Sequence, residues 1–372
     1  MKESLEGYRI LELGDRMAGA LCGLLLSDYG AEVIRIEPPC RESFGQGGIS
    51  IEERSRRATL HRGKKSVSMD LCTTSGKEEF AKLVRTAAVV IESCGPGELE
   101  QEGITYEFLT SIQPAIVYTS ISGYGQEGPY AGHPWSDSTV QAESGMVSVT
   151  GLEEGEAVKC GGAIAQCTGA MNGCIGTLMA LLDVERSGKG RRIDVSMMDS
   201  IVWGMENQFS ISLRTGIAPK PRGNNYALSA PVGNFVCGDG KEIMISIATD
   251  RQWETFAEVL GHEEWLNNPA YMTIASRLEN YKALNKDVGG AFREHTCEEA
   301  MQLLQSRKSI YGRVNNFADV ENHPQVAVRQ SVTRACYSNG ESFRVPASPI
   351  HMNERRQQEE YHVSRPGEDT VY

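Results

Sequence analysis

Apolar and polar positions along the first two hundred residues fall into alternating blocks. Tyr8 to Gly14 is a short apolar run ending at glycine. Arg16 to Tyr29 then carries apolar residues at the intervals of an amphipathic helix that closes at Gly30. A second β-type run, Ala31 to Glu37, stops at Pro38-Pro39, so the first forty residues read as one βαβ unit. The pattern repeats with a strand at Ser66 to Leu71, a helix from Ser75 to Thr86, and strands at Ala87 to Ile91 and Ala115 to Ser120. Strands alternating with helices predict a doubly wound α/β domain around a parallel sheet.

Between these blocks, CRESFGQGGISIEERSRRATLHRGKK, residues 40–65, is charged and glycine-bearing and reads as a long exposed excursion. Gln166 to Glu185 reads as a buried helix whose small residues imply close packing, closed by Ser187 to Gly190 and followed by a strand from Arg192 to Val195. Glycine and proline cluster at 216–231, the best linker, and a strand pair follows, Gly233 to Val236 and Ile243 to Ile247 across Asp239-Gly240. Helical patterns at 250–260, 279–292 and 298–306 fill a second domain, and the last forty residues return to short strands and a charged tail.

The 372 residues exceed the size of one compact core, which predicts two domains and excludes a small binding module. Lysine plus arginine numbers 37 against 49 for aspartate plus glutamate, a net charge of −12. No global positive field exists to hold nucleic acid or an anionic membrane, so an anionic ligand must be caught locally. No run approaches the roughly 18 consecutive apolar residues of a membrane helix, and MKESLEGYRILELG lacks a signal peptide's apolar region, so a cytoplasmic location is expected. The ten cysteines contain no CxxC pair and read as reduced thiols.

Several sequence signatures are missing: no G-x-G-x-x-G follows the first strand, and there is no Walker sequence, HExxH or G-x-S-x-G. No metal site is expected. His61-Arg62-Gly63-Lys64-Lys65-Ser66 places cations in a glycine-containing turn; it is either a solvated turn or a phosphate contact through Arg62, Lys64 and Lys65. Ser122 to Pro129 follows a strand end, where open α/β sheets place ligands, and Gly123, Tyr124 and Gly125 are its candidate contacts.

Taken together, GYRILELG, LLSDYGAEVIRIEPP, HRGKKSVSMDL, SISGYGQEGPYAG, SDSTVQAESGMVSVTG, GTLMALLDVERSGKGRRIDVSMMDS and APVGNFVCGDGKEIMISI occur in the order and at the spacing of one family. The chain resembles the class III CoA-transferases, the formyl-CoA and carnitinyl-CoA transferase type that includes the α-methylacyl-CoA racemases. The resemblance implies a Rossmann-like large domain, here 1–215 and 331–372, a smaller α+β domain with its linker at 216–330, and two subunits interlocked as rings. It also implies coenzyme A or acyl-CoA as a substrate bound on the large domain, with no tightly held cofactor. In such transferases an aspartate opening the helix before GTLMALLDVERSGKG attacks the thioester, passing through a mixed anhydride to an aspartyl-CoA thioester.

Counting back from Gly188, that position is Gln166, and no aspartate or glutamate lies between Ala157 and Leu182. An amide cannot form the anhydride. Ser136 stands at the racemases' histidine position. Gly95 and Gln101 stand where the family carries arginines that meet CoA phosphates, each worth on the order of 1.5–3 kcal/mol. The C-terminus also stops short of the family's final helix, so part of the ring closure is expected to be missing. Cys167 and Glu143 are the substitute groups to weigh. Cys167 could attack a thioester, but Cys160, Cys167 and Cys174 recur every seven residues, as on one packing face; Glu143 is a surface carboxylate or a general base. Asp137 is expected to cap or orient a loop.

The expected role is therefore the non-nucleophilic subunit of a heteromeric CoA-transferase, acting on acyl-CoA and a carboxylic acid beside a homologous chain that carries the aspartate. The alternatives are an acyl-CoA lyase or isomerase using Glu143 or Cys167 with the amides of Gly123 and Gly125, or a pseudoenzyme of regulatory or scaffolding type.

Overall fold

A computed structural model describes residues 3–39, 50–352 and 358–370. It divides into two compact units, one within 1–147, 159–217 and 324–372, the other within 148–158 and 218–323. The segment 148–158, read from sequence as part of the large domain, thus groups with the second unit. Gly151 pairs with Ala157 as a β-bridge and its carbonyl accepts from the Gly223 amide at 2.8 Å.

The first unit opens as β1 (Arg9–Leu13), α1 (Met17–Ser27), β2 (Glu32–Glu37), α2 (Ile51–His61), β3 (Lys65–Ser68), α3 (Thr74–Val84), β4 (Val89–Glu92), α4 (Glu98–Gln101), α5 (Tyr106–Ile112) and β5 (Val117–Ser122). It continues through α6 (Asp137–Glu143), α7 (Met146–Val149), whose last two residues fall in the second unit, α8 (Ile164–Ser187), β6 (Arg191–Ser196), α9 (Met197–Gly204) and α10 (Glu206–Thr215). The six strands form one parallel sheet in the order β3-β2-β1-β4-β5-β6. That is the strand order of doubly wound nucleotide-binding folds, in which consecutive strands run outward from β1 in both directions.

Side-chain alternation divides the apolar residues between two layers. Ile10, Val33, Val89 and Val117 face α1, α8 and α9, while Leu11, Ile34, Val90 and Tyr118 face α3 and α5. Small residues let α8 lie close: a Cβ on Gly169 would come within 2.6 Å of Met197 Cγ, and one on Gly173 within 2.6 Å of Ile121 Cδ1. By length and composition α8 could cross a membrane, which a count of consecutive apolar residues misses because threonine, asparagine and glycine interrupt the run. In the fold it is packed against the sheet and α9.

Two local expectations are corrected. The excursion at 40–65 contains α2, started by Ser50 accepting from the Glu53 amide at 3.2 Å and strengthened by Glu53 pairing with Arg56 and Arg57 at 2.8 and 3.1 Å. Residues 40–49 of that stretch lie outside the described residues. The seven-residue cysteine stripe is also broken, because α8 begins at Ile164 and Cys160 precedes it in non-helical chain.

In the second unit β7 (Val232–Val236) and β8 (Glu242–Ser246) form an antiparallel hairpin. α11 (Asp250–Val259), α12 (Ile274–Glu279), α13 (Tyr281–Arg293) and α14 (Cys297–Ser306) precede β9 (Tyr311–Arg313), which pairs with β8, and α15 (Phe317–Glu321). Trp253, Phe256, Phe292, Ile243 and Ile245 make its core. Arg277 is fully buried there, donating to the carbonyls of Ala230 and Tyr271 at 2.8 and 3.0 Å and to Asp250 at 2.8 Å.

The chain then returns to the first unit through α16 (Pro324–Val328), β10 (Val332–Tyr337), β11 (Ser342–Pro346) and β12 (Glu360–Val363), a small sheet whose Ala335, Tyr337 and Val345 pack on Ala58 of α2. Its tail covers the exposed edge of β3. The Asp369 amide donates to the Ser66 carbonyl at 2.9 Å, Asp369 Oδ2 accepts from the Ser66 amide at 2.8 Å, and Thr370 Oγ1 accepts from the Ser68 amide at 2.8 Å.

Beneath that edge runs a buried ion chain. Lys64 Nζ, its side chain inaccessible to solvent, donates to Glu12 Oε2 and the Ala20 carbonyl, both at 2.6 Å; Arg35 reaches Glu12 at 3.3 Å and Glu37 at 2.9 Å. Removing one member of such a set strands a buried charge. Lys64→Met should therefore lower stability by about 3 kcal/mol. The double variant Lys64→Met/Glu12→Gln should recover much of that loss. Urea unfolding midpoints check both, and an unchanged midpoint in the single variant contradicts the account.

Candidate functional site

Strand order dictates where a ligand can enter. β2 and β5 lie on opposite sides of the β1–β4 pair, so the connections leaving β1 and β4 diverge and open a crevice at the strands' carboxyl ends. A cavity of about 360 Å³ lies there, lined by Gly14 and Arg16 after β1, Glu37 ending β2, Asp70 after β3, and Cys94 and Glu98 after β4. Asp15 and Arg35 also line it. Arg35 is committed to Glu12 and Glu37, which leaves Arg16 as the lining cation with no acidic partner among the described residues. Its guanidinium stacks 4.0 Å from the Trp135 ring, and Nη1 donates to the Trp135 carbonyl at 3.4 Å.

Behind the crevice sits Glu92, the last residue of β4, 4% exposed. One of its oxygens accepts from the Cys94 amide at 2.7 Å, the other from Gln126 Nε2 at 3.4 Å. Burial, with further repulsion from Glu100 and Glu98, pushes its carboxyl up to about 7, against the stabilising hydrogen bond from the Cys94 amide. The strand read from sequence stops at Ile91, one residue short of Glu92, whose burial follows only from its place in mid-sheet.

The sequence-predicted cations lie elsewhere. Residues 62–65 lead into the amino end of β3, whereas the crevice is at the carboxyl ends. Arg62 is buried against Asp28 at 2.9 Å and the Tyr361 ring at 5.0 Å, and Lys64 is consumed by Glu12. Lys65 is exposed but holds Glu32 at 2.5 Å, beside the amino end of β2. Extracting either buried cation would strand a carboxylate, so a phosphate contact through Arg62 or Lys64 is corrected to an internal ion pair.

The glycine-rich loop does stand at the carboxyl ends of the sheet. Gly123 is required by packing: a Cβ there would lie 2.5 Å from Trp135 Cγ. Gly125 has a φ of +91°, and its amide donates to Ser122 Oγ at 3.0 Å, so it is already spent and not free to stabilise a thioester oxygen. Tyr124 is half-buried and packs edge-on against Tyr130, ring centroids 5.5 Å apart.

At the start of α8, Ala163 offers no side-chain cap, and Asp137 supplies one from α6. Asp137 Oδ1 accepts from the Gln166 amide at 2.9 Å and Oδ2 from Gln141 Nε2 at 2.6 Å, while Gln141 Oε1 accepts from the Cys160 amide at 2.9 Å. The Gln166 side chain is half-buried with no hydrogen bond among the described residues. Cys167 follows, its thiol pushed up by burial and by the Asp137 carboxylate, which opposes thiolate formation. Glu143 is exposed at the end of α6. Neither is arranged as a nucleophile or a buried base.

Because the folded state raises the Glu92 pKa, the protein prefers that group protonated. Its contribution is full below the unfolded value near pH 4.5, falls as pH rises through about 7, and is then absent. Wild-type stability should accordingly drop by up to about 3 kcal/mol between pH 5 and 8 from this group, and Glu92→Gln should flatten the slope. Thermal or urea melts across that range check it; equal slopes in both proteins contradict it.

Comparison with known proteins gives this architecture a family. The model of "CoA-transferase family III" matches residues 5–370. Succinyl-CoA:mesaconate CoA-transferase of Haloarcula hispanica is 29% identical over 94% of this chain and 90% of its own length, and acetyl-CoA:oxalate CoA-transferase of Acetobacter aceti is 29% identical over 95% and 90%. The crystal structure of a CAIB/BAIF family protein from Brucella suis superposes with a TM-score of 0.85 at 28% identity, covering 99% of this chain and 97% of that one. A parallel sheet with a crevice at its switch point, in a chain matched from end to end by these proteins, belongs to CoA-transferase family III.

Proposed function

We propose that this chain is the non-nucleophilic subunit of a heteromeric class III CoA-transferase, moving CoA between an acyl-CoA and a carboxylic acid beside a homologous chain that carries the aspartate. The observation that carries the reading is the start of α8. Gln166 occupies the position that the family resemblance assigns to the nucleophile, and the nearby Asp137 has both oxygens engaged, one capping α8 and the other accepting from the Gln141 side chain. An amide forms no mixed anhydride, and a carboxylate holding two N–H donors is a poor attacking group.

Two further features support it. Among the described residues the crevice is lined by four carboxylates, Asp15, Glu37, Asp70 and Glu98, and two arginines, of which Arg35 is already paired with Glu37, so these residues hold the CoA phosphates weakly unless backbone amides or a partner contribute. α8 also exposes Met171, Ile175, Leu178, Met179 and Leu182 along one side, and Trp203 of α9 is 77% exposed. Such a contiguous apolar face suits a second chain of the same fold, in the interlocked arrangement that the family resemblance implies. The relatives named for succinyl-CoA with mesaconate and acetyl-CoA with oxalate support an acyl-CoA donor and a carboxylic acid acceptor. The thioester is a substrate, and no tightly held cofactor is required.

Purified alone, the chain should transfer CoA at least about 10³-fold more slowly than when co-expressed with an aspartate-bearing homologue, and intact-mass analysis should show no covalent CoA adduct on it. Gln166→Asp should introduce such an adduct. Rapid transfer by the unaccompanied wild-type protein, with an adduct on one of its own residues, would overturn the assignment.

A further inference from the structure

Strand register places three polar side chains in one row. Glu92 is the partner of Leu13 and of Ser120, and Ser120 is the partner of Asp194, so Glu92, Ser120 and Asp194 project from the same face of β4, β5 and β6 near their carboxyl ends. Loop 123–128 is tied down onto this row. The Gln126 amide donates to Asp194 Oδ2 at 3.0 Å, its side-chain nitrogen donates to Glu92 at 3.4 Å, and the Gly125 amide donates to Ser122 Oγ at 3.0 Å. The second oxygen of Glu92 holds the Cys94 amide, and Cys94 lines the crevice. One carboxyl group therefore joins a crevice-lining loop to the glycine-rich loop.

No basic side chain pairs with Glu92 among the described residues, although it is buried. A buried carboxyl without a cation is costly, and an apolar residue would serve packing better. The groups facing Glu92 are Tyr118 and Ser120 on β5, Gln126, Cys94, and Glu98 and Glu100 on α4. A second link runs parallel to it: Arg16, from the crevice, stacks on Trp135, which packs against Gly123. Asp137, the cap of α8, follows two residues after Trp135.

We infer that Glu92 and Gln126 form a latch that positions the glycine-rich loop over the carboxyl ends of β4 to β6 when acyl-CoA fills the crevice, so that Glu92 is a positioning residue and not a catalytic one. The ligand in this statement rests on the function proposed above; the latch itself rests on the hydrogen bonds. At 3.4 Å the Gln126–Glu92 contact is a long hydrogen bond, so it has room to shorten.

Exchanging the partners tests it. Measured above about pH 8, where Glu92 is ionised, Gln126→Glu sets two carboxylates against each other, and Gln126→Ala removes the contact. Glu92→Gln/Gln126→Glu restores one carboxylate and one amide, with the new glutamine still able to accept from the Cys94 amide. In ligand-free protein, hydrogen–deuterium exchange of 123–128 should accelerate about tenfold in both single variants, return to within about twofold of wild type in the exchanged pair, and stay unchanged in α8 peptides. In the complex with the aspartate-bearing homologue, KM for acyl-CoA should rise about three- to tenfold in Gln126→Glu with kcat changing less, and recover in the exchanged pair. Unaltered exchange in both single variants, or no recovery in the exchanged pair, would overturn the latch. Correct exchange behaviour with no CoA binding by any variant would leave the latch standing and refute the CoA reading.

Discussion

A buried lysine holding a buried carboxylate, Lys64 on Glu12, is the contact around which the first unit is arranged. It joins the segment entering β3 to the centre of β1 and, through the Ala20 carbonyl, to α1. Arg35 extends the chain to β2 and Glu37. Charges with so little access to water can persist only as a complete set, so the relative placement of β1, β2 and β3 becomes all-or-none. The C-terminal tail depends on the same edge, since Ser66 and Ser68 supply the groups that Asp369 and Thr370 engage.

That arrangement has a consequence for ligands. Arg62 and Lys64 are spent inside the fold, and Lys65 lies toward the opposite end of the strands from the crevice. Among the described residues the crevice is left with more carboxylates than cations and with Arg16, whose guanidinium stacks on the Trp135 ring. Gly95 fits its surroundings closely: a Cβ there would lie 2.3 Å from a Glu98 carboxylate oxygen. The lining carboxylates and the amide side chain of Gln166 at the start of α8 are the two features on which the proposed subunit role rests.

Much of the fold was legible because its signals are local. The apolar run of β1, the helical spacing of α1 and the prolines after β2 each depend on residues a few positions apart, and seven ordered motifs pointed to one family. α2 was legible too, through Ser50 and Glu53, but glycines and charges in the preceding stretch masked it. The cations at 62–65 misled because a charge in a turn looks the same whether it meets a phosphate or a carboxylate from another strand. Glu92, Gln126 and Arg16 carried no signal in the linear pattern, because what distinguishes them is company drawn from residues tens of positions away.

The sequence by itself determined the family, the alternation of strands and helices, the net charge of −12 and the absence of a carboxylate between Ala157 and Leu182, since each is a property of residue identity and near-neighbour spacing. Tertiary structure alone decided which charges are free. Burial and pairing are settled by contacts such as Lys64 with Glu12, 52 positions apart, and Glu92 with Gln126, 34 apart. The energy of a charged group is governed by whether water or a partner surrounds it, and that is known only once the sheet has closed.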